Sequence, residues 1–304
     1  MGEKERYFHV PFLFKPGGSM LKVAVFIKPV PESTKVSIDP ETKRVKRDAC
    51  ENIINALDRN ALELTFKLKQ FIPCNVTIIT MAPPFAQKQL RKALARGGDR
   101  AVLLSDRAFG GGDTYATSYV LANAVKKLGG FDLIIMGDMS SDAGTMHVPA
   151  QLAEWLEINH IHNVSKIDPK EDSITVESEG VNSHYVWEAG YPLLVSVNRK
   201  ASLPKAAGVR QTILSRNKEL ITWSLEDFPD MDKSKIGLSG SPTQFGEIYP
   251  VERKKSCTVR EINSVAAAAD ILAILEKAGI ITGAISSLAR KMKKRGILII
   301  PVLM

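Results

Sequence analysis

Between Leu21 and Glu157 the chain alternates short apolar runs with segments of helical period, and this alternation limits its fold more than any other feature. "LKVAVFI" (21–27), "VTIIT" (76–80), "AVLL" (101–104) and "FDLIIMG" (131–137) have the continuous apolar character of strands buried on both faces. Helical segments fall between and after them. "DRNALELTFKLKQF" (58–71) sets Leu62, Phe66 and Lys69 at helical spacing, and "PPFAQKQLRKALARGG" (83–98) opens near Pro84 and closes at Gly97-Gly98. "TYATSYVLANAVKKLGG" puts Leu121, Val125 and Leu128 on one face, and "VPAQLAEWLE" follows the fourth strand. Such alternation predicts an α/β fold, a doubly wound parallel sheet. In that architecture ligands bind beyond the carboxyl ends of the strands.

The pattern changes after about Ile158. "ITVESEG" and "HYVWEAG" read as an antiparallel excursion, and "YPLLVSV" (191–197) returns as an apolar strand. Residues 199–225 read as a loop region, and from Glu226 the chain is polar and turn-rich, the pattern of an extended arm. "SVAAAADILAILEKAGI" (264–280) is a helix with Ser264 as its cap and Gly279 at its end. The expected organisation is a flexible extension over 1–19, an α/β nucleotide-binding domain over 20–225, and an arm, helix and basic–apolar tail over 226–304. Met20 is the expected start of the fold.

The 304 residues carry a net charge of +8, placed unevenly. No acid occurs from Gly190 to Lys218, where Arg199, Lys200, Lys205, Arg210, Arg216 and Lys218 fall, and Arg290 to Arg295 form a second basic run. Such runs attract nucleic acid, acidic protein surfaces or anionic lipid, or are simply solvated. No aromatic–basic stacking pattern accompanies them, which argues against nucleic acid as the partner. The N-terminus mixes charges and prolines and does not read as a signal peptide. No apolar run reaches the roughly 18 residues of a membrane span. Cys50, Cys74 and Cys257 form no Cys-x-x-Cys pair, so no metal cluster is expected, and a reducing cytoplasm fits their sparse use. His160 and His162 lack a third metal ligand and read as surface residues.

Each loop at a strand's carboxyl end suits a nucleotide. They are "KPVPES" after the first strand, "MAPP" after the second, "SDRAFGGGDT" after the third and "GDMSSDAGTMH" after the fourth. Gly110, Gly111 and Gly112 permit close backbone approach just before a helix N-terminus, where free amides favour an anion. Thr114, Thr117 and Ser118 add hydroxyl donors. Neither a Walker A loop nor a Gly-x-Gly-x-x-Gly fingerprint is present.

Here the residues carry a resemblance. From about Met20 to Ile281 the chain resembles the β subunit of electron-transfer flavoprotein, the FixA type. The stretches that carry it are "VFIKPVPES", "IINALDRNALE", "ITMAPP", "LSDRAFGGGDTYATSYVLA", "GSPTQFGEIYPVERK" and the helix ending at Gly279. Ala56 stands where the family has proline and Ala82 where it has glycine. The loop Met139–His147 also departs: Asp142 and Thr145 are kept, a second acid is lost, and His147 replaces glutamine.

The resemblance implies a nucleotide cofactor. Simple electron carriers of the family hold AMP here, and the electron-bifurcating kind holds a second FAD. Asp113-Thr114-Tyr115-Ala116-Thr117-Ser118 resembles the bifurcating kind, which implies FAD. Implied contacts are Lys28, Pro29, Val30, Asn55, Asp58, Met81, Ala82, Gly110 to Asp113, Thr114, Thr117, Ser118, Gly137, Asp142, Thr145 and His147. His147 reads equally as a polar helix-start residue. The implied partners are an α subunit, a quinone-linked oxidoreductase and a ferredoxin-like carrier, with NADH as electron donor. Leu203, in "ASLPK", matches the leucine with which the family docks a dehydrogenase. Membrane contact, if any, would run through partners or the tail beyond Ile281. No side chain is expected to act as an acid–base catalyst, because the flavin carries the chemistry. A nucleotide- or nucleic-acid-binding regulator is the rival class.

Overall fold

The protein is described by a computed structural model, which covers residues 5–9, 20–32, 52–170, 172–243 and 263–280. The chain divides into two units, Met1–Tyr249 and Pro250–Met304. The tail from residue 282, most of the arm motif, Cys50 and Cys257 lie outside the described residues.

The first unit is built on a ten-stranded sheet. In chain order its strands are β1 (Glu5–His9), β2 (Leu21–Phe26), β5 (Cys74–Met81), β6 (Arg100–Leu104), β7 (Leu133–Gly137), β8 (Asn159–Pro169), β9 (Ser173–Glu179), β10 (His184–Gly190), β11 (Leu193–Val197) and β12 (Leu220–Trp223). A separate ribbon pairs β3 (Pro29–Pro31) with β4 (Asn52–Ile54). The helices are α1 (Ala56–Leu68), α2 (Gln87–Arg96), α3 (Thr114–Lys127), α4 (His147–Leu156) and α5 (Val209–Leu214). The sheet order is β1-β10-β9-β8-β11-β7-β2-β5-β6-β12. From β8 to β12 every neighbouring pair is parallel.

Strand period places the core. Val23, Val25, Val76, Ile78, Leu133 and Ile135 face α1 and α2, while Ala24, Phe26, Ile79, Ile134 and Met136 face α3 and α4. Successive residues of one strand thus serve opposite helical layers, so the central strands are apolar at nearly every position. The chain lays down β2, β5 and β6 in one direction, then returns to add β7 on the other side of β2. The order reverses between β2 and β7, and the loops that leave those strands flank a crevice.

The structure departs from the sequence reading in five places. The extension expected to be flexible carries β1, which pairs parallel with β10; β10 offers a free edge, and Tyr7 and Phe8 are strong strand formers. The region read as loop forms α5 and β12, the latter pairing with β6. Both are too short to show a period. Residues 226–243, read as an extended arm, belong to the first unit, where Phe228, Met231 and Ile236 are buried in the α3–α4 core. These apolar residues are isolated among polar ones, which hid them. His160 is half-buried rather than on the surface, its ring paired with Ser196 Oγ, while His162 of the same strand is exposed. In the second unit the helix α6 (Ser264–Lys277) is capped by Asn263, whose side chain accepts from the Ala266 N–H at 2.9 Å, rather than by Ser264. Gly279 follows it in the left-handed region, φ 70°. Among the described residues, no helix is long and apolar enough to cross a membrane.

The packing of Phe228 gives a direct test. Its ring stands edge-on to Trp223 at 5.7 Å and lies under the Lys127 ammonium at 5.3 Å. Phe228→Ala is expected to lower the stability of the first unit by about 3–5 kcal/mol, read by urea unfolding. A detachable arm would leave stability unchanged.

Candidate functional site

The carboxyl edge at the β2–β7 crevice is organised around a buried carboxylate. Asp58, in the first turn of α1, accepts from the Lys28 backbone N–H at 2.7 Å. The Gly137 backbone and the Asn55 side chain lie close beside it and favour its charged form. It therefore ties the ends of β2 and β7 to the start of α1. Gly137 must be glycine: a Cβ there would fall on Asp58 Oδ1 and lie 2.8 Å from Leu57 Cβ. Burial pushes the Asp58 carboxyl up to about 7, against the pull of these three neighbours.

Asn55 does not cap α1 with its side chain. Its amide instead donates to the Met139 carbonyl at 2.8 Å and its oxygen accepts from the Ser141 N–H at 3.1 Å. Its backbone N–H donates to the Lys28 carbonyl at 2.9 Å. One residue thus grips the loops after β2 and β7 together. Lys28 Nζ adds a bond to Asp142 at 2.8 Å and to Ser140 Oγ at 3.3 Å. Burial raises Asp142, but the hydrogen bonds from Lys28 and Ser140 prevail and hold it below the usual carboxylate range. The β3–β4 ribbon holds Pro29 and Pro31 in place and buries Val30. Gly144 (φ 65°) and Met146 (φ 60°) turn the exposed loop into α4 at His147, and Thr145 is exposed beside them. That helix start has no side-chain cap.

The glycine loop leads to the start of α3. Gly111 sits in the left-handed region, φ 73°. Asp113 caps the helix, its Oδ1 accepting from the Ala116 N–H at 3.0 Å. Its Oδ2 accepts from the Thr243 N–H and hydroxyl at 2.9 and 2.7 Å, and its own N–H donates to Ser241 Oγ at 2.8 Å. Burial raises Asp113, but these bonds prevail and hold it below its ordinary value. The Asp113 carboxylate is thus used within the protein. So is Ser118, fully buried, which donates to the Tyr115 carbonyl at 2.9 Å and accepts from Trp155 Nε1 at 3.2 Å. Both position α3 instead of lining an open surface, a difference from the sequence reading that follows from the packing of α4 and of residues 241–243. Thr114 and Thr117 are half-exposed at the helix start. Met81 and Ala82 end β5, each half-buried against one of the two core clusters.

Sequence reasoning missed a second polar group at this edge. Asp138, buried after β7, accepts from Ser196 Oγ at 2.6 Å, and Ser196 Oγ also pairs with His160 Nε2 at 3.0 Å. Burial pushes His160 down to about 4, its neighbour His162 adds to this, and Asp138 opposes it. No local motif marks residues that meet across three strands. Ser241 and Thr243 were missed because they meet Asp113 only from 128 and 130 residues further along the chain.

The edge fits an anionic nucleotide by its donors. It gathers the Lys28 ammonium, the Thr114 and Thr117 hydroxyls, the glycine-loop backbone and two helix starts. Thr80 Oγ1, buried near the carboxyl end of β5, has no hydrogen-bond partner among the described residues, the kind of orphan a bound polar group resolves. Among the described residues, no cluster of side chains could hold a metal ion.

Asp58 and His160 set opposite pH dependences. Asp58 keeps its proton in the folded state up to about 7, whereas unfolded it loses it near 4, so its contribution falls as pH rises through that window. His160 stays neutral in the folded state down to about 4 but is protonated when unfolded below 6.5, so its contribution rises with pH. The two largely cancel between pH 4.5 and 6. His160→Gln is expected to expose the Asp58 slope, up to about 1.4 kcal/mol lost per pH unit, in urea titrations across that range. A variant that follows the wild-type profile would contradict this balance.

The family model described as electron transfer flavoprotein domain matches residues 42–227. The chain is 37% identical over 224 residues to an electron transfer flavoprotein subunit beta of Clostridium acetobutylicum, covering 74% of this chain and 86% of that one. It is 32% identical over 265 residues to the protein FixA of Azorhizobium caulinodans, covering 84% and 94%. It is 34% identical over 225 residues to the caffeyl-CoA reductase-Etf complex subunit CarD of Acetobacterium woodii, covering 74% and 86%. Members of this family associate with flavin or AMP, and its β subunits pair with an α subunit. With its parallel sheet, its crevice at the β2–β7 reversal and these matches, the chain belongs to the electron transfer flavoprotein family, among the β-subunit and FixA proteins.

Proposed function

We propose that this chain is the β subunit of a heteromeric electron-transfer flavoprotein that holds FAD at the carboxyl edge and takes part in bifurcating electron transfer. The carrying observation is the convergence of the Lys28, Asn55 and Asp142 loops with the glycine loop and the α3 start on one edge. The Asp113–Ser118 segment and the likeness to FixA and to a reductase–Etf complex subunit support the bifurcating reading over the AMP one. Bound there, FAD supplies hydride acceptance from NADH and one-electron delivery to a high-potential acceptor and to a ferredoxin-like carrier.

The protein's own residues bind and orient. Thr114, Thr117 and the Gly110–Gly112 backbone hold the pyrophosphate, with the α3 dipole favouring its charge. The Lys28–Val30 turn, its backbone held by Asp58, Asn55 and the β3–β4 ribbon, forms a wall beside the adenylate half. Asp142, Thr145 and His147 border the exposed loop, while Asn55, Asp58 and Gly137 fix the loops in register and Asp113 and Ser118 fix α3. Leu203, 79% exposed, docks the partner oxidoreductase. An aliphatic anchor in a basic surround separates two tasks: charge steers the encounter and burial of the leucine supplies affinity.

The test is a cofactor count. The chain is co-expressed with its α partner, purified and denatured, and FAD and AMP are quantified per heterodimer. Two FAD and no AMP are expected; one of each would reduce this chain to a structural and docking subunit. Leu203→Ala is expected to weaken partner reduction about tenfold or more, through the Michaelis constant for the partner, with cofactor content unchanged.

A further inference from the structure

A negative side chain stands in the middle of the segment that takes a negative ligand. Asp113 lies between Gly110–Gly112 and Thr114, the residues assigned above to the pyrophosphate. Although burial raises its carboxyl, its hydrogen bonds hold it below its ordinary value, so it is charged at neutral pH. Like charges placed side by side repel, and more so where water is partly excluded. A carboxylate in this position weakens an anion site unless donors match its charge.

Those donors come largely from the far end of the first unit. Asp113 Oδ1 accepts from the Ala116 N–H at 3.0 Å. Its Oδ2 is occupied twice, by the Thr243 N–H at 2.9 Å and the Thr243 hydroxyl at 2.7 Å. The Asp113 N–H goes to Ser241 Oγ at 2.8 Å, and that hydroxyl donates in turn to the Gly237 carbonyl at 2.7 Å. By contrast, the N–H groups of Gly111, Gly112 and Thr114 have no acceptor among the described residues. The segment thus divides its donors. Those of Asp113 and Ala116 serve the protein, and those of Gly111, Gly112 and Thr114 are left for a ligand.

Residues 237–243 are held in place for this task. Ile236 is buried in the α3–α4 core, and the Asp232 N–H donates to the Tyr119 hydroxyl of α3 at 3.0 Å. The Lys235 ammonium lies over the rings of Tyr119 and Trp155, at 5.5 and 5.7 Å from their centres. Gly237 (φ 59°) then turns the chain against the glycine loop, where a Cβ would run into the Ala108 carbonyl. The segment is rooted on α3 and α4 and closes on the start of α3.

We propose that residues Gly237–Thr243 are a clasp on which retention of the phosphate-bearing cofactor depends, with Thr243 as a positioning residue that matches the Asp113 charge beside the phosphate. The inference rests on the reading that the carboxyl edge holds a nucleotide, and it applies to FAD and AMP alike. The two Thr243 donors make charge-assisted bonds to a carboxylate that would otherwise oppose the ligand. Ser241 keeps the Asp113 amide in register, so the open amides on either side face the phosphate together.

The test uses the full chain co-expressed with its α partner and follows the FAD and AMP remaining per heterodimer after dilution and ultrafiltration. Thr243→Val, which removes the hydroxyl donor, is expected to lose nucleotide about fivefold faster than the wild type, and Thr243→Ser to match the wild type. Asp113→Asn keeps a side chain that caps a helix but removes the charge. In that background Thr243→Val is expected to change the rate by less than about twofold. An equal effect in both backgrounds would show that Thr243 only props the loop, and would overturn the proposal. So would wild-type retention in Thr243→Val. A wild-type heterodimer holding a single FAD and no AMP would instead overturn the reading of the carboxyl edge, and the clasp with it.

Discussion

The buried Asp58 carboxylate is the contact on which the carboxyl edge depends. It sits where the ends of β2 and β7 meet the start of α1, accepting from the Lys28 N–H beyond β2 and lying close against Gly137 at the end of β7. An unpaired Lys28 N–H in this place would cost about 1–3 kcal/mol, a penalty that the Asp58 side chain removes. Gly137 makes the geometry possible by leaving no side chain between the strand and the helix start. Asn55 then carries the register outward into the loop after β7. The edge is thus pre-arranged from its buried base to its exposed rim, and the loops are placed by the same residues that hold the core together.

The second anchor acts on the α3–α4 side of the sheet. Asp113 caps α3 and also holds Thr243, 130 residues further on. The turn at Gly237 packs against the glycine loop so closely that a side chain there would meet the Ala108 carbonyl. Glycines in this loop therefore serve two contacts, one with the protein's own backbone and one with the open crevice. The glycine cluster marks a place of close approach, and the structure supplies one of the bodies that approach it.

Much of the fold was legible because it depends on local pattern. Continuous apolar runs such as 21–26 and 133–137 identify central parallel strands, since both faces are covered. The helices α1 to α4 show their period and their ends. What stayed hidden depends on contacts distant in sequence. β12 has four residues and gains its place only by pairing with β6. Phe228 and Ile236 are single apolar residues in polar surroundings, and the Asp138–Ser196–His160 group joins three strands. For the site, the loops were legible and the division of labour within them was not. Asp113 and Ser118 read as ligand donors from their type, but Trp155 and Thr243 claim their atoms, and neither partner is near in sequence.

The way the sheet ends has a further consequence. One margin is β12, too short to offer a long row of unpaired backbone groups. At the other, β10 spans seven residues, and β1 covers five of them through a parallel ladder. An uncovered strand of that length is a template for a second chain. The N-terminal strand is therefore a selvedge: it leaves a margin of five residues in place of seven, and trimming it would alter colloidal behaviour while leaving the carboxyl edge in place.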